Sequence, residues 1–297
     1  MKAIYNLLLI LALSFNLSFP QIAGSSYLKV DNDKIFYETA GKGTAIIFIH
    51  DGLVHSQIWD SQFSFFARDH MVIRYDRRGY GKSSTATGNF SNMDDLRVLF
   101  NHLKIEKACL MALSSGGRLA IDFTLQYPEK VSSLVLVGAV VGGFSYTQHF
   151  FTRGGHLPSG LKNMDQRVAY YIFEDPYEIY GKNKEAKQKV DQFLKKYPRK
   201  RLHSPANKKQ SKNRDGINRV PTKPAYERLS EIKIPALILV GEFDIPDVHA
   251  HAGVINAGIK NSKRVIIGNS GHLIPLEQPK IFNNEIKKFL EKLSSNH

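Results

Sequence analysis

Cysteine is almost missing from this sequence. Among 297 residues Cys109 is the only one, so no internal disulfide can form in any redox compartment. It lies in the apolar run Ala108 to Leu113, where a free thiol behaves as a small hydrophobe, and it is read as buried and inert. Acidic residues are scarce as well: 27 stand against 41 Lys and Arg, for a formal net charge of +14. Such a balance brings nucleic acid, an anionic membrane surface or an anionic ligand into consideration. The excess is local, however. Between Lys182 and Arg214 thirteen Lys or Arg face two acids, Glu185 and Asp191. That stretch offers only Phe193 and Tyr197, where single-strand binders interleave several stacking aromatics, so a solvated face is expected and nucleic acid is not.

Long apolar runs are also lacking. After Met1 and Lys2 an apolar stretch from Ile4 to Leu17 is broken by Asn6, Ser14 and Asn16, short of the roughly twenty residues a spanning helix needs. It reaches Pro20 and then the small residues Ala23, Gly24, Ser25 and Ser26. A charged start, a short apolar core and small residues predict a secretory signal over residues 1–25, cut after Gly24 or Ser25. The expectation is export to the periplasm or medium, with an uncleaved N-terminal anchor as the alternative and the only route to a membrane. A phosphate-binding loop is missing too: Gly81-Lys82-Ser83 resembles its end, but the glycine required five residues earlier is Asp76.

What is present is enough hydrophobic sequence, 42% of the chain, for a full core. The runs Ala45 to Ile49, Met71 to Tyr75, Ala108 to Leu113, Val131 to Val137, Ala236 to Val240 and Arg264 to Ile267 read as buried strands. Tyr27 to Val30 and Ile35 to Thr39 read as an antiparallel edge hairpin. Helices are expected from Met93 to Leu103, Ser115 to Tyr127 and Gln278 to Leu293. This alternation predicts an α/β fold with a mostly parallel central sheet flanked by helices. The rhythm stops after Gly138 and resumes only at Ile234. The polar, basic, proline-bearing block at about 142–224 is read as an inserted, largely helical cap in one domain spanning 26–297, because it has too little apolar sequence for a core of its own. Within it, Asn207 to Asn218 has the composition of a solvated loop.

Three chemically informative residues fall at the ends of these strands. Ala108 to Leu113 runs into Ser114-Ser115-Gly116-Gly117 and then into an apolar helical stretch, placing a serine at the apex of a sharp strand-to-helix turn. The turn needs small residues two before and two after the serine, and Ala112 and Gly116 occupy those places. After Val240 comes Gly241-Glu242-Phe243-Asp244, a carboxylate at a strand's C-terminal end, where α/β sheets place ligands. After Ile267 comes Gly268-Asn269-Ser270-Gly271-His272. Ser114, Asp244 and His272 are therefore the candidate nucleophile, acid and base, with Asp247 as the reserve acid. No carboxylate closely follows Val137.

With Ile46-Ile47-Phe48-Ile49-His50-Asp51-Gly52, Trp59 and Tyr75-Asp76-Arg77-Arg78-Gly79-Tyr80-Gly81-Lys82-Ser83, these segments resemble the α/β-hydrolase superfamily outside the cap. Within it the chain looks most like the serine esterase, lactonase and cofactor-free haloperoxidase branch. The resemblance implies a cofactor-free and metal-free hydrolase acting on a small carboxylic ester or lactone. It also implies an oxyanion hole formed by the backbone N–H groups of Gly52 and Ser115. Asp51 replaces the usual glycine, and its carboxylate is expected to point away from that hole. Asp76, Arg77 and Arg78 are expected to hold the turn after their strand by charge-assisted hydrogen bonds. A small-molecule binding protein on the same fold, a C–C hydrolase and a perhydrolase are the alternatives.

Overall fold

The computed structural model describes residues 24–295, apart from 53, 89, 149, 151–159, 161–165, 167–169, 171–183 and 197–222. The expected signal segment as far as residue 23, most of the expected cap and its solvated loop at Asn207 to Asn218 lie outside the described residues, whereas Gly24 and Ser25 open the first strand.

The strands are β1 (Gly24–Val30), β2 (Asp33–Ala40), β3 (Ala45–Ile49), β4 (Met71–Tyr75), β5 (Ala108–Leu113), β6 (Val131–Val137), β7 (Ala236–Gly241) and β8 (Ser262–Ile267). They form an eight-stranded sheet in the order β1-β2-β4-β3-β5-β6-β7-β8. β1 and β2 pair antiparallel, as do β2 and β4, and every other pair is parallel. The hairpin is tighter than expected: two residues, Asp31 and Asn32, link β1 to β2, and Asp31 takes a left-handed φ of 54° that Asp tolerates in such turns. β5 is apolar and buried at all six residues, as expected of a central strand covered by helices on both faces.

Helices α1 (Asp60–Phe66) and α8 (Pro279–Ser294) pack together, and the ring of Phe48 of β3 meets those of Trp59 and Phe63 at tilted angles on their side. Helices α2 (Asn92–His102) and α3 (Ser115–Gln126) meet through the stacked rings of Phe100 and Phe123. The start of α2 is capped by Ser91, whose Oγ accepts the Asp94 N–H at 3.2 Å. α4 (Lys184–Lys196) is a helix inside the block read as a cap. α5 (Ala225–Arg228) and α6 (Pro246–Gly258) pack on one another, and the single turn α7 (Ile274–Glu277) precedes α8.

One strand departs from the sequence reading. β8 is not buried: its residues are mostly exposed or half-buried, and Ile266 is exposed, because β8 is an edge with β7 as its only strand neighbour among the described residues.

Candidate active site

Ser114 follows β5 with φ 54° and ψ −116°, a left-handed conformation that a non-glycine residue adopts only when its surroundings enforce it. The enforcement is visible on both sides. The Ser114 N–H donates to the Val137 carbonyl at 2.8 Å, continuing the parallel ladder, while the Arg118 N–H donates to the Ser114 carbonyl at 3.2 Å and starts α3. The sheet thus holds one side of the serine and the helix the other. Gly116 allows the turn to lie close to the neighbouring loop: a Cβ there would stand 2.5 Å from the His50 carbonyl oxygen.

β6, β7 and β8 end beside the same edge. Asp244 lies in the loop after β7, with Oδ1 accepting the Ile245 N–H at 2.8 Å. Its Oδ2 lies 2.8 Å from His272 Nδ1, in the loop after β8. An ionised carboxylate can only accept, so Nδ1 carries the proton and, in the neutral ring, Nε2 is left as the basic nitrogen. Gly138, at the end of β6, makes room for this pair: its φ is +48°, and a Cβ there would sit 3.1 Å from both Asp244 Oδ2 and His272 Nδ1. Burial alone would disfavour the imidazolium, but the charge of Asp244 and its hydrogen bond, with smaller contributions from Asp51 and Glu277, hold the His272 pKa above its ordinary value. Asp247, the reserve acid, is occupied elsewhere. Its oxygens accept the Thr147 N–H at 2.6 Å and the Thr147 hydroxyl at 3.0 Å.

The turn after β3 meets the start of α3. Gly52 and Ser115 are neighbours, with a Cβ on Gly52 falling 3.4 Å from Ser115 Oγ. Ser115 opens α3, so its N–H has no intrahelical acceptor. The Gly52 N–H is aimed indirectly. The Arg77 N–H donates to His50 Nε2 at 3.0 Å, which leaves the proton of the neutral ring on Nδ1, and Nδ1 donates to the Asp51 carbonyl at 2.7 Å. Arg77 Nη2 donates to the same carbonyl at 2.8 Å. Because a trans peptide is planar, two donors on the Asp51 oxygen turn the Gly52 N–H to the opposite side.

One expectation is revised here. Arg77 was read as a turn residue, yet Nη2 also reaches Ser115 Oγ at 3.1 Å, tying together the two loops that carry Gly52 and Ser115. Asp76 and Arg78 do serve the turn. Asp76 accepts the N–H groups of Ser56 and Lys82 at 2.9 and 2.8 Å, and Arg78 binds Asp33 and Asp95. Of the Asp51 carboxylate, Oδ1 accepts the Val54 N–H at 2.8 Å, Oδ2 is buried without a hydrogen-bond partner among the described residues, and its charge favours protonated His272. Cys109 is buried and its thiol is pushed up to about 11 by that burial, so it remains a thiol at neutral pH.

Residues 44–279 match the α/β-hydrolase fold family. The chain belongs to that family. It is 29% identical over 283 residues to a 2-hydroxy-6-oxononadienedioate/2-hydroxy-6-oxononatrienedioate hydrolase of Paraburkholderia phymatum, covering 86% of this chain and 91% of that one. It is 26% identical over 274 residues to a bifunctional esterase/perhydrolase of Acinetobacter calcoaceticus, covering 88% and 97%. Among solved structures, the enol-lactonase of Burkholderia xenovorans shares the fold with a TM-score of 0.69 at 19% identity, covering 90% and 100%. For this α/β-hydrolase, Arg77 and Glu277 are the site neighbours that sequence reasoning missed. Glu277, five residues after His272, offered a local signal; the contacts of Arg77 are long-range.

Proposed function

We propose that this protein is a serine hydrolase that cleaves a small carboxylic ester or lactone through an acyl-enzyme on Ser114. One observation carries the reading: a serine in an enforced left-handed turn shares a sheet edge with an imidazole whose Nδ1 is held by a buried carboxylate. His272 Nε2 takes the Ser114 proton as Oγ attacks the carbonyl carbon, and Asp244 stabilises the resulting imidazolium. The N–H groups of Gly52 and Ser115 receive the oxyanion, each worth about 3 kcal/mol by the usual cost of losing such a donor. Collapse expels the alkoxide, which takes the proton from His272. Water then attacks the acyl-enzyme by the same route in reverse, and no metal or organic cofactor enters.

The block at about 142–224 is the cap in this reading. α4 supports it: this helix packs on α7, just after His272, and Phe193 lies against His55 with ring centroids 6.2 Å apart. A cavity of about 260 Å³ lies between them, lined by Gln57, Lys189, Phe193, Pro275 and Leu276 among others. The N-terminal segment is proposed to direct export.

The test is Ser114→Ala, expected to abolish both hydrolysis of short activated esters and labelling by a fluorophosphonate with the fold unchanged. Labelling that persists, or that maps to Ser115, would sink the assignment. Similarity to the Paraburkholderia phymatum hydrolase favours one second reading. A keto dienedioate contains no ester, so its hydrolysis must break a C–C bond. A panel of esters, lactones and vinylogous diketones separates the two, and absence of both labelling and turnover would leave a binding protein.

A further inference from the structure

Glu277 closes α7, and the Glu277 N–H donates to the Leu273 carbonyl at 3.0 Å, so this turn of helix folds the side chain back over its own start. Both carboxylate oxygens are engaged there. Oε2 accepts the Gly271 N–H at 2.7 Å and Oε1 accepts the Leu273 N–H at 2.8 Å. These are the amides immediately before and after His272. The arrangement resembles a capping box, in which an acidic side chain returns to the N-cap amide, but here it also spans the residue before. The side chain bonds Oδ2 of Asp244 at one end, while the backbone on both sides is held by Glu277 at the other.

We propose that Glu277 is a positioning residue for His272, a carboxylate clasp whose ionised form fixes the loop carrying that imidazole. The inference rests on His272 being the base of the proposed hydrolase. Glu277 is 1% exposed, and a carboxylate so buried is costly unless its hydrogen bonds reward the charge. Burial dominates, and with the Asp244 charge it outweighs the two amide bonds and the attraction of His272, pushing the Glu277 carboxyl up to about 7. Protonation of Glu277 therefore falls near neutral pH. A protonated carboxyl uses one oxygen as a donor, so one of the two buried amides loses its acceptor and the loop loosens.

The sign follows directly. Glu277 must be ionised to hold the loop and His272 must be neutral to accept the Ser114 proton, so acidification removes both conditions together. The charges of Asp244 and Asp51 also act on the imidazole and favour its protonated form. The acid limb of log kcat/KM against pH should then approach a slope of 2, where a single base gives 1.

The experiment measures p-nitrophenyl acetate hydrolysis and fluorophosphonate labelling of Ser114 between pH 5 and 9, for the full chain and for Glu277→Gln. The native chain is expected to show the two-proton limb. Glu277→Gln has one amide oxygen for two N–H groups; kcat is expected to fall about 10- to 100-fold, part of the hundredfold or more that a positioned base supplies, with KM within about twofold. Its acid limb should drop to a slope of 1. If the variant does not fold, the limb of the native chain decides. Labelled Ser114 together with a one-proton native limb, or with a Gln variant of native kcat, overturns the clasp and leaves the hydrolase reading standing. Unlabelled Ser114 in the native chain overturns the hydrolase reading itself.

Discussion

Replacing Arg78 by Met tests the account of the turn after β4. The guanidinium donates to both oxygens of Asp95, at 2.9 and 2.8 Å, and to Asp33 at 2.6 Å. The side chains of Arg78, Asp33 and Asp95 are 3%, 2% and 3% exposed, whereas that of Asp31, also 3.1 Å from the guanidinium, is 75% exposed. The Asp31 contact is therefore a surface pair worth at most about 1 kcal/mol. Most of the cost comes from the two sealed carboxylates. Asp33 keeps the Thr87 N–H and hydroxyl at 3.3 and 3.2 Å, so Asp95 is left worse off. Breaking a buried pair by removing one partner typically costs about 3–5 kcal/mol, and Arg78→Met should fall in that range at pH 8. The pH dependence makes the test specific. Burial already pushes the Asp95 carboxyl up to about 6 with Arg78 beside it. Without the cation it rises further. A carboxyl raised in the folded state stabilises fully below its unfolded pKa and loses that contribution as pH climbs through the folded value. The deficit of Arg78→Met should accordingly shrink between pH 8 and pH 5, measured by urea unfolding of both proteins. Adding Asp95→Asn should recover part of it at pH 8. A deficit below about 1 kcal/mol at pH 8, or one that does not change with pH, would refute the reasoning.

The two carboxylates after β7 should separate cleanly in kcat: Asp244→Asn is expected to lower it about a thousandfold or more, as loss of a triad acid does, and Asp247→Asn far less, since Asp247 holds Thr147. The reverse order would move the acid. For the N-terminal segment, expression in a Gram-negative host followed by sequencing of the mature N-terminus is expected to find protein cut after Gly24 or Ser25. An intact Met1 in a purely cytoplasmic fraction would refute export.

The parts legible in the sequence were those governed by local pattern. Ala108 to Leu113 reads as a strand because six apolar residues in a row suit a position covered on both faces, and Ser114 to Gly117 reads as the elbow because its steric needs are local. The order of Ser114, Asp244 and His272 could be read because each lies directly after a run of β character. The pairing of His272 with Asp244 and not with Asp247 also agrees with the distance of each from a strand end. Helix α6 was not legible. Asp247, His249 and His251 interrupt its apolar positions Val248, Ala252 and Ile255, and only packing makes His251 a buried residue. The exposure of β8 also escaped, since Val265, Ile266 and Ile267 look like any core strand until the sheet order leaves them at an edge. The same holds for the placement of β4 between β2 and β3. Arg77 shows the limit most clearly: its bonds to Asp51 and Ser115 span 26 and 38 residues, and no periodicity records them. Sequence by itself determined which residues end the strands and so which chemistry meets at the sheet edge, because strand formation and turn sterics act over a few neighbours. Tertiary structure alone decided how those residues are held, because the Asp51 peptide, the Asp244 carboxylate and the His272 backbone take their partners from segments that only folding brings together.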